Sequence, residues 1–174
     1  MKDTSTFIPH PSVANGDVDK IKHWVGQCKN VDEVDENDRT PLHWAVMHNR
    51  IEIAKILLKK NANPSLLDSD RFNALHYASA AQNLKLCELL LSHKANPATN
   101  TNNGSSCIML LVSKVCEDAI EQQKIIQAYL KGGCNINASN DKKQTALHLA
   151  CINSSDSVVK MLLQNKANPN ALSG

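Results

Sequence analysis

The stretch Thr40-Pro41-Leu42-His43-Trp44-Ala45 constrains this chain of 174 residues more than any other, because it recurs. It returns as Asn73-Ala74-Leu75-His76-Tyr77-Ala78, in degraded form as Ser106-Cys107-Ile108-Met109-Leu110-Leu111, and nearly intact as Thr145-Ala146-Leu147-His148-Leu149-Ala150. The first positions lie 33, 33 and 39 residues apart, a fixed period with one insertion of six. Self-similarity at such a period belongs to chains whose units bury their apolar faces only against neighbouring units. Such a chain stacks, and its stability depends on the stacking.

Within each unit the residues spell out two helices and two turns. Thr40 can accept a hydrogen bond from backbone N–H groups at a helix start, and Pro41 fits the first helical position because it has no N–H to leave unpaired. In the second helix Ile51, Ile53, Ala54, Ile56, Leu57 and Leu58 cover most of the surface, as a helix between two neighbours requires. The remaining positions, Glu52, Lys55 and Lys59, form a polar stripe that recurs as Lys85, Glu88 and Ser92, as Lys124, Gln127 and Lys131, and as Ser157, Lys160 and Gln164. That stripe is expected to face water. Small-residue exits follow at Asn61, Lys94, Gly133 and Lys166, and turns rich in Asp, Asn and Gly follow at 35–39, 68–72, 101–105 and 140–144.

A 33-residue period with a Thr-Pro-Leu-His-x-Ala helix start resembles the ankyrin repeat family, over residues 12 to 172. The resemblance implies an all-α solenoid of stacked helix-turn-helix units with projecting β-turn fingertips. It divides the chain into a mobile N-terminal tail at 1–11, a partial capping repeat at 12–34, repeats at 35–67 and 68–100, an irregular repeat at 101–139, and a last repeat at 140–174. It implies that His43, His76 and His148 reach back to the caps of their own helices. The family usually has glycine in the fingertip where Gly104 stands, and Asp38, Arg71 and Lys143 replace it in the other turns.

The family binds partners on a concave surface lined by first helices and fingertips. Carried over position by position, that surface comprises Glu36, Asn37, Arg39, Trp44 and Met47, then Asp70, Phe72 and Tyr77, then Asn103 with Ser105 and Leu110, and finally Lys142 and Leu149. Trp44, Phe72 and Tyr77 fall in adjacent units, and aromatic residues are the commonest interface hot spots. The alternative is that Trp44 and Tyr77 partly stack on each other and on neighbouring helices, simply covering the core. Asp32, Glu33, Asp35, Glu36 and Asp38 make the early end acidic, against Lys142 and Lys143 at the late end. Such a gradient orients a partner, unless it is only a solvated charge run.

Composition narrows the remaining classes. A net charge of +2 from 19 basic and 17 acidic residues offers no strong attraction to nucleic acid or anionic membrane. No apolar run approaches ~18 residues, and the N-terminus carries no secretory signal, so the expectation is a soluble monomer of the cytoplasm, with the nucleus also open to it. The cysteines, Cys28, Cys87, Cys107, Cys116, Cys134 and Cys151, have no C-x-x-C spacing and are expected reduced in small core positions. The repeated histidines fall in different layers, and the His148/Cys151 pair has no second pair to complete a metal site. No phosphate-binding loop and no nucleophile with an orienting base can be assembled, so neither catalysis nor a cofactor is expected.

The leading expectation is therefore a non-catalytic protein-interaction module, a scaffold or adaptor. The alternative is a targeting or substrate-recruiting segment of a larger enzyme or a ubiquitin-ligase adaptor. The unit starting at Ser106 lacks both Pro and His and should be the least rigid. Its six extra residues are placed around 115–121, either as lengthened helices with a solvated link or as a second contact site. Val158, Val159, Met161, Leu162 and Leu163 lack the polar face of a terminal cap, so the chain is expected to continue past Gly174.

Overall fold

The computed structural model describes residues 9–153 and 156–172. Helices occur in pairs: α1 (Pro9–Asn15) with α2 (Val18–Gln27), α3 (Pro41–Met47) with α4 (Ile51–Lys59), α5 (Ala74–Ala80) with α6 (Leu84–Ser92), α7 (Cys107–Val112) with α8 (Ala119–Lys131), and α9 (Ala146–Ile152) with α10 (Asp156–Gln164). First helices pack in the series α1, α3, α5, α7 and α9, while α2 packs on α4, α6 on α8 and α8 on α10. Extended pairing among the described residues is limited to an isolated bridge between Asn100 and Ser106. The chain is an all-α stack of helix pairs.

The first helix corrects the expected tail. Residues 9–11 belong to α1, with Pro9 and His10 buried. Two prolines do not forbid a helix here, because the N–H groups of a first turn have no intrahelical partner and lose nothing when they are absent. Residues 1–8 of the expected tail, residues 154–155 and residues 173–174 lie outside the described residues.

Helix starts follow the sequence logic. Thr40, Asn73 and Thr145 each cap the N–H three residues on, and the side chains of His43, His76 and His148 return a bond to the cap backbone. Ser106 caps Met109, which cannot reciprocate. Helix exits repeat as well: Ala62, Ala95, Cys134 and Ala167 donate back to Leu57, Leu90, Tyr129 and Leu162 at 3.1, 3.0, 3.0 and 3.0 Å. These six-to-one bonds need a left-handed residue just before them, supplied by Asn61, Lys94, Gly133 and Lys166 at φ of 62, 63, 90 and 67°.

The core runs along the stack as Leu42, Leu75 and Ile108 on the first helices and Leu57, Leu90, Ile126 and Leu162 on the second, each at most 1% exposed. The polar stripe from Glu52 to Gln164 is exposed throughout. The six-residue insertion is shared between the longer link 113–118 and α8, which has 13 residues against nine in α4 and α6. Tyr129 of α8 occupies the position of Leu57, Leu90 and Leu162 and is wholly buried, and its hydroxyl lies 2.8 Å from Ser79 Oγ of the preceding layer.

Candidate partner-binding face

Each fingertip is built on the same scheme. Asp35, Asp68, Thr101 and Asn140 donate a backbone N–H to the carbonyl four residues on and accept one from the residue three on, at 2.8–3.1 Å. Their side chains brace the turn from inside. Asp35 Oδ1 accepts from the N–H groups of Asn37 and Arg39, Asp68 Oδ1 from Asp70 and Phe72, and Asn140 Oδ1 from Lys142 and Gln144. Thr101 Oγ1 accepts from Ser105, which is buried, so Ser105 is corrected from the expected surface to the turn interior.

The turn geometry survives without glycine. Asp38, Arg71, Gly104 and Lys143 have φ of 58, 62, 75 and 55°. Three L-residues therefore sit in a region disfavoured by about 1–2 kcal/mol each, held there by the bonds on either side. Gly104 is different because an added Cβ would also stand 2.9 Å from the Ser139 carbonyl of the next fingertip.

Neighbouring fingertips are joined by backbone. Ser69 N–H donates to Asn37 O, Asn102 to Asp70 O and Asp141 to Asn103 O, at 3.1, 3.0 and 3.0 Å. The tips thus form one bonded row from Asn37 to Asp141. A row locked in this way presents side chains at fixed spacing, which lowers the ordering cost of binding.

None of the carried-over positions Glu36, Asn37, Arg39, Trp44, Met47, Asp70, Phe72, Tyr77, Asn103, Leu110, Lys142 and Leu149 is buried. Glu36, Met47, Asp70, Asn103 and Lys142 are exposed, and the others are half-buried. The aromatics are not free-standing. Trp44 Nε1 donates to Asp35 Oδ2 at 2.8 Å, and Tyr77 OH donates to Asp68 Oδ2 at 2.5 Å, so in two layers the helix aromatic is a strut to the fingertip base nine residues earlier. Trp44 stacks on His48 at 5.4 Å, while Tyr77 meets Phe72 at 5.1 Å and His43 edge-on at 6.0 Å. Each also meets a histidine of the preceding first helix, His10 beside Trp44 at 6.0 Å and His43 beside Tyr77, rather than the other aromatic.

Electrostatics fix the protonation of this scaffold. Burial lowers the pKa of His43, only partly offset by Asp68, and brings that of His76 down to about 4. Both rings are neutral: Nδ1 accepts from the cap N–H at 3.0 and 3.1 Å, and Nε2 then donates to Leu66 O or Thr99 O at 3.1 and 3.0 Å. Burial and the bond to Asp68 push Tyr77 up to about 12, which keeps its proton in place. Burial raises the Asp35 carboxyl, but the Arg39 N–H, the Trp44 indole and the Asn37 N–H together bring it below its ordinary value. The buried thiols of Cys87, Cys107 and Cys134 are all raised by burial and are poor nucleophiles. Among the described residues no three His, Cys, Asp or Glu side chains converge to hold a metal.

Sequence reasoning missed Asp35 and Asp68 as the bases of the struts. The signal was present, as an aspartate nine residues before each helix aromatic.

A stack of paired helices with bonded fingertips defines a helical repeat protein of the solenoid class. A sequence profile described as ankyrin repeats (3 copies) matches residues 10–101 and 95–173, and the chain belongs to the ankyrin repeat family. Individual relatives match over shorter stretches. The human transient receptor potential cation channel subfamily A member 1 is 36% identical over 66 residues, 37% of this chain and 6% of the channel. Palmitoyltransferase ZDHHC17 of Danio rerio is 31% identical over 70 residues, 40% of this chain and 11% of that protein. Human palmitoyltransferase ZDHHC13 is 29% identical over 65 residues, 37% of this chain and 10% of the relative. The matched region is a small part of each relative. No helix among the described residues is long and apolar enough to cross a membrane.

Proposed function

We propose that the chain is a non-catalytic protein-interaction module that acts as a monomeric scaffold or adaptor, engaging a partner protein along the fingertip row and the adjoining first helices. Ankyrin repeats are generally modules of this kind, which supports the coarse reading. The observation that carries the finer one is the bonded row of tips bearing exposed Glu36, Asp70, Asn103 and Lys142 beside half-buried Trp44, Phe72 and Tyr77. Polar groups at the tips with aromatic area behind them make the polar rim and apolar centre of an interface. The six cysteines are all free, which suits a reducing, cytoplasmic setting.

A second reading has its own support. Relatives named as palmitoyltransferases match this chain over 10–11% of their length, so the module serves as a recruiting segment of a larger enzyme if it is joined to one. Both readings place recognition on the same face.

The test is affinity capture from the source cell with paired charge reversals. Asp70→Arg with Lys142→Glu changes the tips, and Lys55→Glu with Lys85→Glu changes the outer stripe. Proteins retained by the wild type should be lost with the tip variant and kept with the stripe variant. The opposite pattern overturns the assignment of the face.

A further inference from the structure

The α9–α10 layer leaves open a surface that its equivalents in the other layers keep covered. Cys151 is exposed where Val46, Ser79 and Val112 are buried, and Val159 is half-buried where Ala54, Cys87 and Ile126 are 0% exposed. With Leu147, Ile152 and Leu163 they line an open apolar groove of about 470 Å³. Terminal units of a solenoid carry a polar outer face. At the other end α2 exposes the side chains of Asp19, Lys20, Lys22, His23 and Gln27, all polar, whereas α9 and α10 expose Ile152 and Leu163. The α9–α10 layer is built as an interior layer.

Two polar acceptors beside the groove indicate what covers it. At the fingertips the carbonyls of Asn37, Asp70 and Asn103 each accept an N–H from the next tip in sequence, and Lys142 O, the fourth of the series, accepts none among the described residues. At the exits Asp32, Ser65 and Asn137 each accept, through a side-chain oxygen, the N–H 31 residues on. Asn170 stands one period after Asn137, with its own N–H held by Asn168 Oδ1 at 2.9 Å, and its Oδ1 accepts nothing among the described residues. Groove, tip and exit are the contacts by which one layer holds the next, and here all three are open together.

The combination selects the occupant. A small apolar ligand would fill the groove and leave both acceptors unmet. A second copy stacked head to tail would bring the polar side of α2 and, among the described residues, no fingertip ahead of α1. Two copies face to face would present the same patch to itself, covering apolar area without a fingertip N–H in line with Lys142. A further helix pair with its own fingertip and exit loop meets all three contacts. Between the layers already stacked, the fingertip donor is always supplied by the unit next in sequence.

We propose that the α9–α10 face is an interlayer interface, covered in the native protein by a further repeat of the same polypeptide. The fingertip of that repeat donates a backbone N–H to Lys142 O and its exit loop donates one to Asn170 Oδ1. Its helices lay aliphatic side chains against Cys151, Val159 and Leu163. The interface is independent of which partner the fingertip row engages, and it lengthens that row by one tip.

The test compares protein isolated from the source cell under native conditions with the chain of 174 residues. Peptide mapping by mass spectrometry should read past Gly174 and find a capping Thr, Ser, Asn or Asp 33 residues beyond Thr145, with aliphatic residues 33 beyond Leu147 and Leu162. Cys151 is the reporter of cover, and Cys116 in the link 113–118 is the reference on the same chain. In brief labelling with N-ethylmaleimide before denaturation, Cys151 of the cell-derived protein should react at least ~tenfold more slowly, relative to Cys116, than Cys151 of the 174-residue chain. A polypeptide that stops at residue 174, a continuation without that spacing, or equal labelling of Cys151 in the two proteins overturns the proposal. Protection of Cys151 in a polypeptide that stops at residue 174 also overturns it, and assigns the face to a second copy or a separate partner.

Discussion

At the scale of single residues, side chains that announce the repeat also serve as structural fasteners. His76 is the clearest case, capping its own helix through Nδ1 and tying the next exit loop through Nε2. Both bonds require the neutral ring. Its folded pKa of about 4 lies below the ordinary 6.5, so between those values the unfolded chain binds the extra proton. Stability is therefore fully present above pH 6.5 and falls as the pH drops toward 4, by about 3 kcal/mol from this group at about 1.4 kcal/mol per tenfold. Urea unfolding of wild type and His76→Gln at pH 7 and pH 4 should show a steeper acid loss in the wild type, and parallel losses would contradict the assignment. Tyr77→Phe makes the matching test of the strut. It removes a bond to the buried carboxylate of Asp68 and should cost about 1.5–3 kcal/mol in the same assay. The capping role of the histidines was legible because Thr-x-x-His repeats. The strut was not, since the sequence shows an aromatic at Tyr77 but not that its hydroxyl turns inward to a fingertip base.

At the scale of elements, layers are joined at the exits as well as at the tips. Asp32 accepts from Asn63 N–H, Ser65 from Asn96 and Asn137 from Asn168, each 31 residues on. The equivalent position before the irregular unit is Ala98, which has no acceptor to offer Asn135. Ala98→Asp should supply the missing link and raise stability by about 0.5–1.5 kcal/mol in chemical denaturation. No gain, with the fold unchanged, would mean that the exits around Gly133 are set otherwise. The irregular unit has compensations that its degraded start conceals. The carbonyl of Leu111 accepts from the Gln82 and Gln122 amides at 3.1 Å each, and that of Val112 from Asn153 at 2.7 Å. The last carbonyls of α7 are thus satisfied by side chains from three directions. These contacts span layers, so no local pattern around Ser106 could reveal them. The same limit applied to α1, where two prolines suggested a tail and packing against α3 made a helix.

At the scale of the whole molecule, a stack has no centre remote from both ends, and each layer is only as secure as its neighbours. The positions six residues past each cap show this directly: Val46, Ser79 and Val112 are 2, 0 and 3% exposed, whereas Cys151 is exposed and Ile152 beside it is 67% exposed. α9 packs on α7 and α10 on α8, leaving a groove of about 470 Å³ along Leu147, Cys151, Val159 and Leu163. Within these 174 residues the α9–α10 layer packs against one neighbouring layer, whereas an interior layer packs against two. Opening free energies should therefore fall along the stack, with amides of α9 and α10 exchanging through sub-global openings and those of α3 to α6 approaching the global value. Native-state hydrogen exchange in low denaturant resolves the two classes, and uniform protection across all layers would show that the stack unfolds as one unit. Substitution separates the same cases. Leu57→Ala and Leu162→Ala each open a core cavity costing about 2–5 kcal/mol, but Leu57 lies between layers and should lower the main unfolding transition. Leu162→Ala should instead split off an earlier transition confined to α9 and α10, because the remaining layers keep every neighbour they had.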